Sequence, residues 1–572
     1  MWPATAGDVR GPRASELVAL HSTPHGENPV PVLRQWGMDR IGWGLPPQRQ
    51  QEVDSWAKAW VAKHRSAGVR YHAVLNLSFS NGYLTGPQPE LLATRCLGPD
   101  GQFIGPRHSG VLGTINGQPT WYHCIHHPLW RQYLRDALGY SLAAGAQGIE
   151  FDSPLANGNA DSRQDGTCFC GHCLAAFEKS AADLPMRGDA LKAHLAGQAK
   201  TQAKATTDPL LVRYYAFQVE SAARLLRELV AHGRDLHPDA EFSANSYDLL
   251  PESLAAAAAC DSLLTEVSHY AELWNEATVP RSLAWRYRLP DALGRRLVAS
   301  ATLWEWRYLQ DHQCEDLLKL WFAAAYAHGH LYVVPNLYQW SGKTYRGSQA
   351  DFAPMLRFVK DHARLLDDYT HAPAALVLYS PDDLSAIGGS QAALHRIMGI
   401  AEALAYRQAD FDFAIAQNRF FEAPAWPQRP LLIVPEGLKL SAADQTRVEE
   451  YAKTGKLMRW PRDQARVDAL REVQAPAGLW IKVRLHRSDP SRRVLHVLNG
   501  QFDYKANRVQ SKTGQHLRFP LPEGWPALRA TWHTPGRESQ SLPVSIQDEL
   551  AELTLPHLEH WGIVELSSSD QP

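Results

Sequence analysis

Short apolar runs recur along the first two thirds of the chain and alternate with stretches of helical periodicity. The run Arg40-Ile41-Gly42-Trp43-Gly44 opens the rhythm, followed by a helical stretch from Gln48 to Ala67 and a turn at Gly68. Arg70 to Leu77 reads as the second strand. An irregular segment over 81–120 is expected to carry a surface loop and a small hairpin, with strand three between Val111 and His123. A helix starting near Pro128 leads to strand four, Gly148 to Asp152. Helices from Cys173 to Asp183 and from Pro209 to His237 lead to strand five, Glu241 to Asn245. Asp261 to Ser268 is the sixth strand, Arg296 to Leu303 the seventh and His330 to Leu337 the eighth. The first thirty residues, rich in Pro, Gly and His, have no periodicity and are expected to meander. Eight buried strands alternating with helices predict a (β/α)8 TIM barrel, which places chemistry at the C-terminal ends of the strands.

After His371-Ala372-Pro373 the pattern restarts, with apolar runs at Ala374 to Tyr379 and Pro430 to Pro435 and a helix from Ala392 to Arg407. Ser441-Ala442-Ala443-Asp444 is a capping pattern that starts a further helix, ending at Thr454-Gly455. This is a smaller α/β domain of doubly wound appearance. From about Leu479 the runs alternate apolar and polar residues with Pro and Gly between them, which predicts a C-terminal antiparallel β domain, a sandwich. The expected boundaries are 1–371 for lead-in and barrel, 372–470 for the α/β domain and 471–572 for the β domain. A chain of 572 residues is too long for one ordinary domain.

Composition narrows the function classes. Hydrophobic residues at 45% and charged residues at 21% are the balance of a globular protein in water, and no apolar run approaches the ~18 residues of a spanning helix. A net charge of -2 with no basic block lacks the footprint of a nucleic-acid binder. The N-terminus has no basic segment followed by an apolar one, so the expected location is cytoplasmic. Nineteen Trp and twenty Tyr offer flat faces that suit sugar rings as well as cores.

Seven cysteines with three in Cys168-Phe169-Cys170-Gly171-His172-Cys173 point to metal ligation rather than a disulfide framework. Three thiolates leave a tetrahedral Zn2+ in need of one more ligand; Cys124 is the first candidate, with His123 and His172 behind it. Four protein ligands leave no open position, so such a zinc is structural, holding the loop beside Asp152.

This cluster resembles that of glycoside hydrolase family 42, the trimeric β-galactosidases, in which a Cys-x-Cys-x-x-Cys zinc loop follows barrel strand four and a fourth Cys precedes the preceding helix. Cys168, Cys170, Cys173 and Cys124, the last in Trp121-Tyr122-His123-Cys124-Ile125-His126-His127-Pro128, match that arrangement. The segments around Pro430-Leu431-Leu432-Ile433-Val434-Pro435 and Val448 to Gly455 resemble that family's trimerisation domain, a fold similar to glutamine amidotransferases. The resemblance implies a carbohydrate substrate and a homo-oligomer, specifically a trimer. The chain departs from it at strand four, where those enzymes carry an Asn-Glu pair and this sequence has Asp152-Ser153-Pro154. An Asp there resembles the nucleophile of retaining α-glycosidase barrels such as the dextranase, α-galactosidase and α-fucosidase families.

Barrel glycosidases cleave with paired carboxyl groups. Asp152 closes strand four, Glu266 lies near the end of strand six and Glu305 follows strand seven in Thr302-Leu303-Trp304-Glu305-Trp306. The alternative for each is a structural ion pair with an arginine such as Arg296, Arg307 or Arg346. Glu150 shares a strand face with Asp152 and is expected to line the barrel. Asn76, Asn245, Tyr247, Trp304, Asn336 and Trp340 fall at strand ends as candidate sugar-binding or stacking groups. The leading expectation is a retaining glycoside hydrolase of oligo- or polysaccharides with Asp152 as nucleophile and Glu266 as acid/base. The alternatives are a β-galactosidase-like enzyme with Glu305 as nucleophile and Asp152 as a substituted acid, and a silent carbohydrate-binding barrel.

Overall fold

The computed structural model describes residues 11–568 except 22–27, 79–88, 106, 109–110, 113, 116–117, 153–166, 202–207, 247–250, 252–253, 256–257, 268–283, 341–342, 372, 386–390, 427–429 and 504. Eight parallel strands form a closed barrel: Val18–His21 (β1), Arg40–Gly44 (β2), Arg70–Asn76 (β3), Gly148–Asp152 (β4), Glu241–Ala244 (β5), Ser262–Glu266 (β6), Arg296–Ser300 (β7) and Leu331–Trp340 (β8). Closure comes from the pairing of β1 with β8, where Val18 stands opposite Val333 and Ala19 opposite Val334. Helices at Pro128–Ala143 (α1), Gly171–Ser180 (α2), Pro209–Leu236 (α3) and Leu303–His312 (α4) are among those that cover it.

The count of eight is as expected, but its beginning is not. The Val18–His21 stretch, expected to be part of a meandering lead-in, is β1, so the run at Arg40 is the second strand and that at Arg70 the third. The segment expected to hold strand three instead forms two-residue strands paired as small hairpins, Arg107–His108 with Val111–Leu112 and Thr114–Ile115 with Gln118–Pro119. The physical reason is context. β5 is as short but follows a long helical stretch that sets it off, whereas four residues in a Pro- and Gly-rich lead-in show no period and become a barrel stave because both neighbours supply the ladder.

Inside the barrel Val18, Leu20, Leu264, Val298, Leu331 and Val333 form one buried cluster, with Trp43 packed against it. Below it lies a charged layer in which Arg70 contacts both Glu16 and Glu241, and Arg40 reaches Glu241 at 3.4 Å. Buried guanidinium groups require such partners, and here they tie β2, β3 and β5 together.

Ala375–Tyr379 (β9), Phe411–Ile415 (β10), Leu431–Pro435 (β11) and Leu457–Trp460 (β12) make a parallel sheet in the order β10-β9-β11-β12, with the helices Gln391–Tyr406 and Ala442–Lys453. The second of these helices starts as its sequence predicts, the Asp444 N–H donating to the Ser441 hydroxyl at 3.1 Å. A six-stranded antiparallel sheet and a three-stranded one follow and enclose a second core around Trp532, Leu553 and Val564. Tyr369–His371, just before the parallel sheet, pairs with Leu479–His486 at the edge of the six-stranded sheet. Among the described residues no helix is long and apolar enough to cross a membrane.

Candidate active site and thiol cluster

Strand β4, Gly148-Ile149-Glu150-Phe151-Asp152, is the wall on which the site is built. Its alternation sends Ile149 and Phe151 into the layer beneath the helices and Glu150 and Asp152 to the barrel interior. Asp152 ends the strand opposite Asn76 of β3, whose side-chain amide donates to Oδ2 at 2.7 Å. The Asn245 amide, one residue beyond β5, donates to Oδ1 at 3.1 Å, and the Asn245 carbonyl accepts the Thr265 hydroxyl at 3.1 Å. The backbone repeats the clamp: Leu77 N–H donates to the Asp152 carbonyl at 3.1 Å, and Asn245 N–H to that of Phe151 at 2.8 Å. Two side chains singled out for sugar hydroxyls thus grip both oxygens of the candidate nucleophile. Neutral amides orient a carboxylate without cancelling its charge.

Glu150 lies beneath Asp152 and is buried, with the Trp43 N–H donating to Oε2 at 2.5 Å. Trp43 holds a left-handed backbone at φ 58, and the β2–β3 register shifts between Ile41 and Gly44. That bulge turns the peptide toward the carboxyl, a local strain of the kind found beside functional sites. Burial raises the Glu150 carboxyl to about 7, against the lowering pull of Arg40 and of the Trp43 N–H; Asp152 and Glu241 push the same way as burial. His72 of β3 stands between Glu150 at 3.9 Å and Glu241 at 3.8 Å. Burial, with Arg40 and Arg70 nearby, holds its imidazole well below the ordinary range, so the ring is neutral. The ring fits only because residue 148 is glycine, since a Cβ there would stand 2.6 Å from His72.

Glu266 ends β6 opposite Ser300, two residues beyond the interior Leu264, and is half-buried. The same alternation therefore points its carboxyl to the barrel mouth. Glu305 is buried in the first turn of α4, where its carboxylate accepts the Thr302 N–H at 3.0 Å and its own N–H donates to the Thr302 hydroxyl at 3.4 Å. This is a reciprocal capping box, a structural use for that carboxylate. Trp304 falls in α4, and Asn336 and Trp340 in β8, whose end pairs with Lys343–Tyr345; the side chains of these three lie outside the described residues, as does the whole of Tyr247. Trp43 and His72 were not singled out by sequence. The Gly42-Trp43-Gly44 run, awkward for a regular strand, was the available sign.

Beside this wall Cys124, Cys168, Cys170 and Cys173 converge, all buried, with their sulfurs within 4.8 Å of one another. Cys124 Sγ lies 3.3 Å from that of Cys173 and 3.5 Å from that of Cys170, and the Cys170 to Cys173 separation is 3.7 Å. Ligands at about 2.3 Å from a tetrahedral zinc stand about 3.8 Å apart, so these separations are of the size such an ion would need. Tyr214 and Gln218 of α3 fix the loop by donating to the Cys168 carbonyl at 2.5 and 3.3 Å. His123 turns away to Thr94 at 2.6 Å and stacks on Trp130, and His172 packs against His127. A fifth buried thiol, Cys96, lies in contact with Cys124 and Cys168; its sequence distance from the cluster concealed it.

No family model matches the sequence. An α-agarase from Thalassotalea agarivorans is 22% identical over 590 residues, covering 93% of this chain and 39% of the relative, so the chain spans about two fifths of that protein's length. Among solved structures, α-L-fucosidase isoenzyme 2 from Paenibacillus thiaminolyticus superposes with a TM-score of 0.68 at 10% identity, over 98% of this chain and 100% of the other. A catalytic mutant of a family 42 β-galactosidase from G. stearothermophilus gives a TM-score of 0.62 at 12% identity, with the same coverage. At such identities the likeness is one of fold, and the fold of this chain is the barrel, α/β and antiparallel β architecture found in these glycoside hydrolases.

Proposed function

We propose that this chain is a glycoside hydrolase acting on an α-linked galactan of the agar type, by a retaining mechanism with Asp152 as nucleophile and Glu266 as acid/base. The observation that carries the reading is Asp152 itself, a strand-four carboxylate at the C-terminal end of the barrel with both oxygens held by the amides of Asn76 and Asn245. An oriented carboxylate in that position is what attack on an anomeric carbon requires. Asp152 forms the glycosyl ester while Glu266 gives its proton to the departing oxygen; Glu266 then takes a proton from the water that breaks the ester. The α-agarase name of the relative supports the galactan, and the strand-four Asp supports the α linkage through its resemblance to retaining α-glycosidase barrels. The capping role of Glu305 weighs against the pairing in which that residue attacks.

The four thiols would hold a structural zinc, which supplies rigidity to the chain between 167 and 173 and takes no part in bond cleavage. The α/β unit after residue 371 supports a homo-oligomer, a trimer by its resemblance to the trimerisation domain of family 42. The test is a panel of α- and β-linked aryl galactosides together with agarose. Release from α-linked substrates that disappears in Asp152→Asn supports the reading. Release from β-linked substrates alone transfers the role to the galactosidase-like pairing, and no release with retained sugar binding identifies a silent barrel.

A further inference from the structure

A groove of about 1000 Å³ lies outside the barrel, and none of its lining residues comes from the barrel strands or their loops. Its walls are the end of the helix Gln391–Tyr406, the 471–480 segment, and the strands Gln515–Pro520 and Leu550–Leu555. This volume is at the upper end of roughly 300–1,000 Å³ for ligand sites, room for several sugar rings. Tyr406 stands at the rim with 57% of its surface exposed, an unusual position for so large a ring. Trp480 forms part of the wall, held against Gly500, where a Cβ would lie 2.1 Å from the indole nitrogen.

Two further features set the groove apart. Gln408 holds a left-handed backbone, φ 57, and its amide donates to the Leu479 carbonyl at 3.0 Å. Its amide oxygen is buried in the wall and, among the described residues, accepts no hydrogen bond. The charge is also one-sided. Arg407, Arg471 and Arg518 line the groove with the single carboxylate of Glu552, which faces Arg518 at 3.1 Å. The Arg471 guanidinium is fixed in place by donating to the carbonyls of Val473 at 3.0 Å and Ala475 at 3.1 Å. A preorganised guanidinium in the same groove as an exposed aromatic ring suits a sulfate ester on a sugar ring.

We propose that this groove is a second carbohydrate site that takes a sulfated galactan segment. Tyr406 stacks on a sugar face and the arginines meet sulfate. The choice of a galactan rests on the function proposed for the barrel; the site itself does not. Native electrophoresis of the full chain in gels containing λ-carrageenan or its desulfated counterpart tests it. The expected result is retardation by the sulfated polymer, weakened at least tenfold in apparent affinity by Tyr406→Ala combined with Arg518→Gln, and kept by Arg529→Gln, a charge change outside the groove. Hydrolysis of small aryl glycosides is expected to be unchanged in the double variant. Retardation unmoved by the double variant overturns the groove site while leaving the barrel reading intact. Equal retardation by the desulfated polymer also overturns it. A change of oligomeric state in the double variant by light scattering assigns the groove to a second copy of the chain and overturns it as well. Groove-dependent retardation in a protein that cleaves no glycoside supports the site and refutes the catalytic reading instead.

Discussion

Glu150 gives the sharpest physical test of the barrel interior. Its carboxyl is raised from an ordinary 4.5 to about 7 mainly by burial, with Arg40 and the Trp43 N–H pulling down and Asp152 and Glu241 pushing up, beside a neutral His72. A raised carboxyl means the folded chain holds a proton that the unfolded chain gives up above pH 4.5. Stability from this group is therefore fully present below pH 4.5 and is lost progressively as pH climbs to about 7, after which the loss is constant. At 1.36 kcal/mol per pKa unit the difference is about 3 kcal/mol. Glu150→Gln copies the protonated form, so its unfolding free energy relative to the parent should rise by about that amount between pH 4.5 and 7.5. Urea unfolding of both proteins at pH 4.5, 6 and 7.5, followed by Trp fluorescence, measures the difference, and other groups cancel between the two. A difference independent of pH would mean that Glu150 is ionised in the fold throughout, and the account of the barrel interior would fail.

Freshly purified protein should carry about one zinc per chain by elemental analysis, and Cys170→Ser should lower both zinc content and thermal midpoint; metal-free protein of unchanged stability would refute the staple. Asp152→Asn should lower turnover by several orders of magnitude with sugar binding retained, whereas Glu266→Gln should still turn over substrates with good leaving groups and recover with azide. If Glu305→Gln abolishes activity while Glu266→Gln spares it, the pairing is the galactosidase-like one. Gly148→Ala should cost roughly 1–3 kcal/mol, because the added Cβ would stand 2.6 Å from the His72 ring; an unaltered melting curve would show that the ring has room to move. Light scattering at micromolar concentration should report a trimer, and a monomer would remove the case for ring assembly.

The chain's periodicity was enough for strands β2 to β8, because each is a short apolar run set off by helical stretches or turns. The thiol cluster was legible for a similar reason: three of its four members lie within six residues, and the fourth sits just before a helix whose direction returns it to the same loop. Position on β4 also placed Asp152 and Glu150 on one face, since alternation along a strand is a property of the backbone alone. Tertiary structure decided everything that depends on partners distant in sequence. Val18–His21 becomes a stave only because β2 and β8 supply its ladder. Asn76 and Asn245, alike in sequence to any polar strand end, become the clamp on Asp152 because register brings β3 and β5 to either side of β4. Cys96 joins the thiols through a loop that no spacing rule reaches, whereas the cap that takes up Glu305 is local, Thr302 three residues before it, and stood open to reading in the sequence. Local pattern encodes which face a side chain takes; what it meets there is set by sheet register and loop closure, which the sequence specifies only through the whole fold.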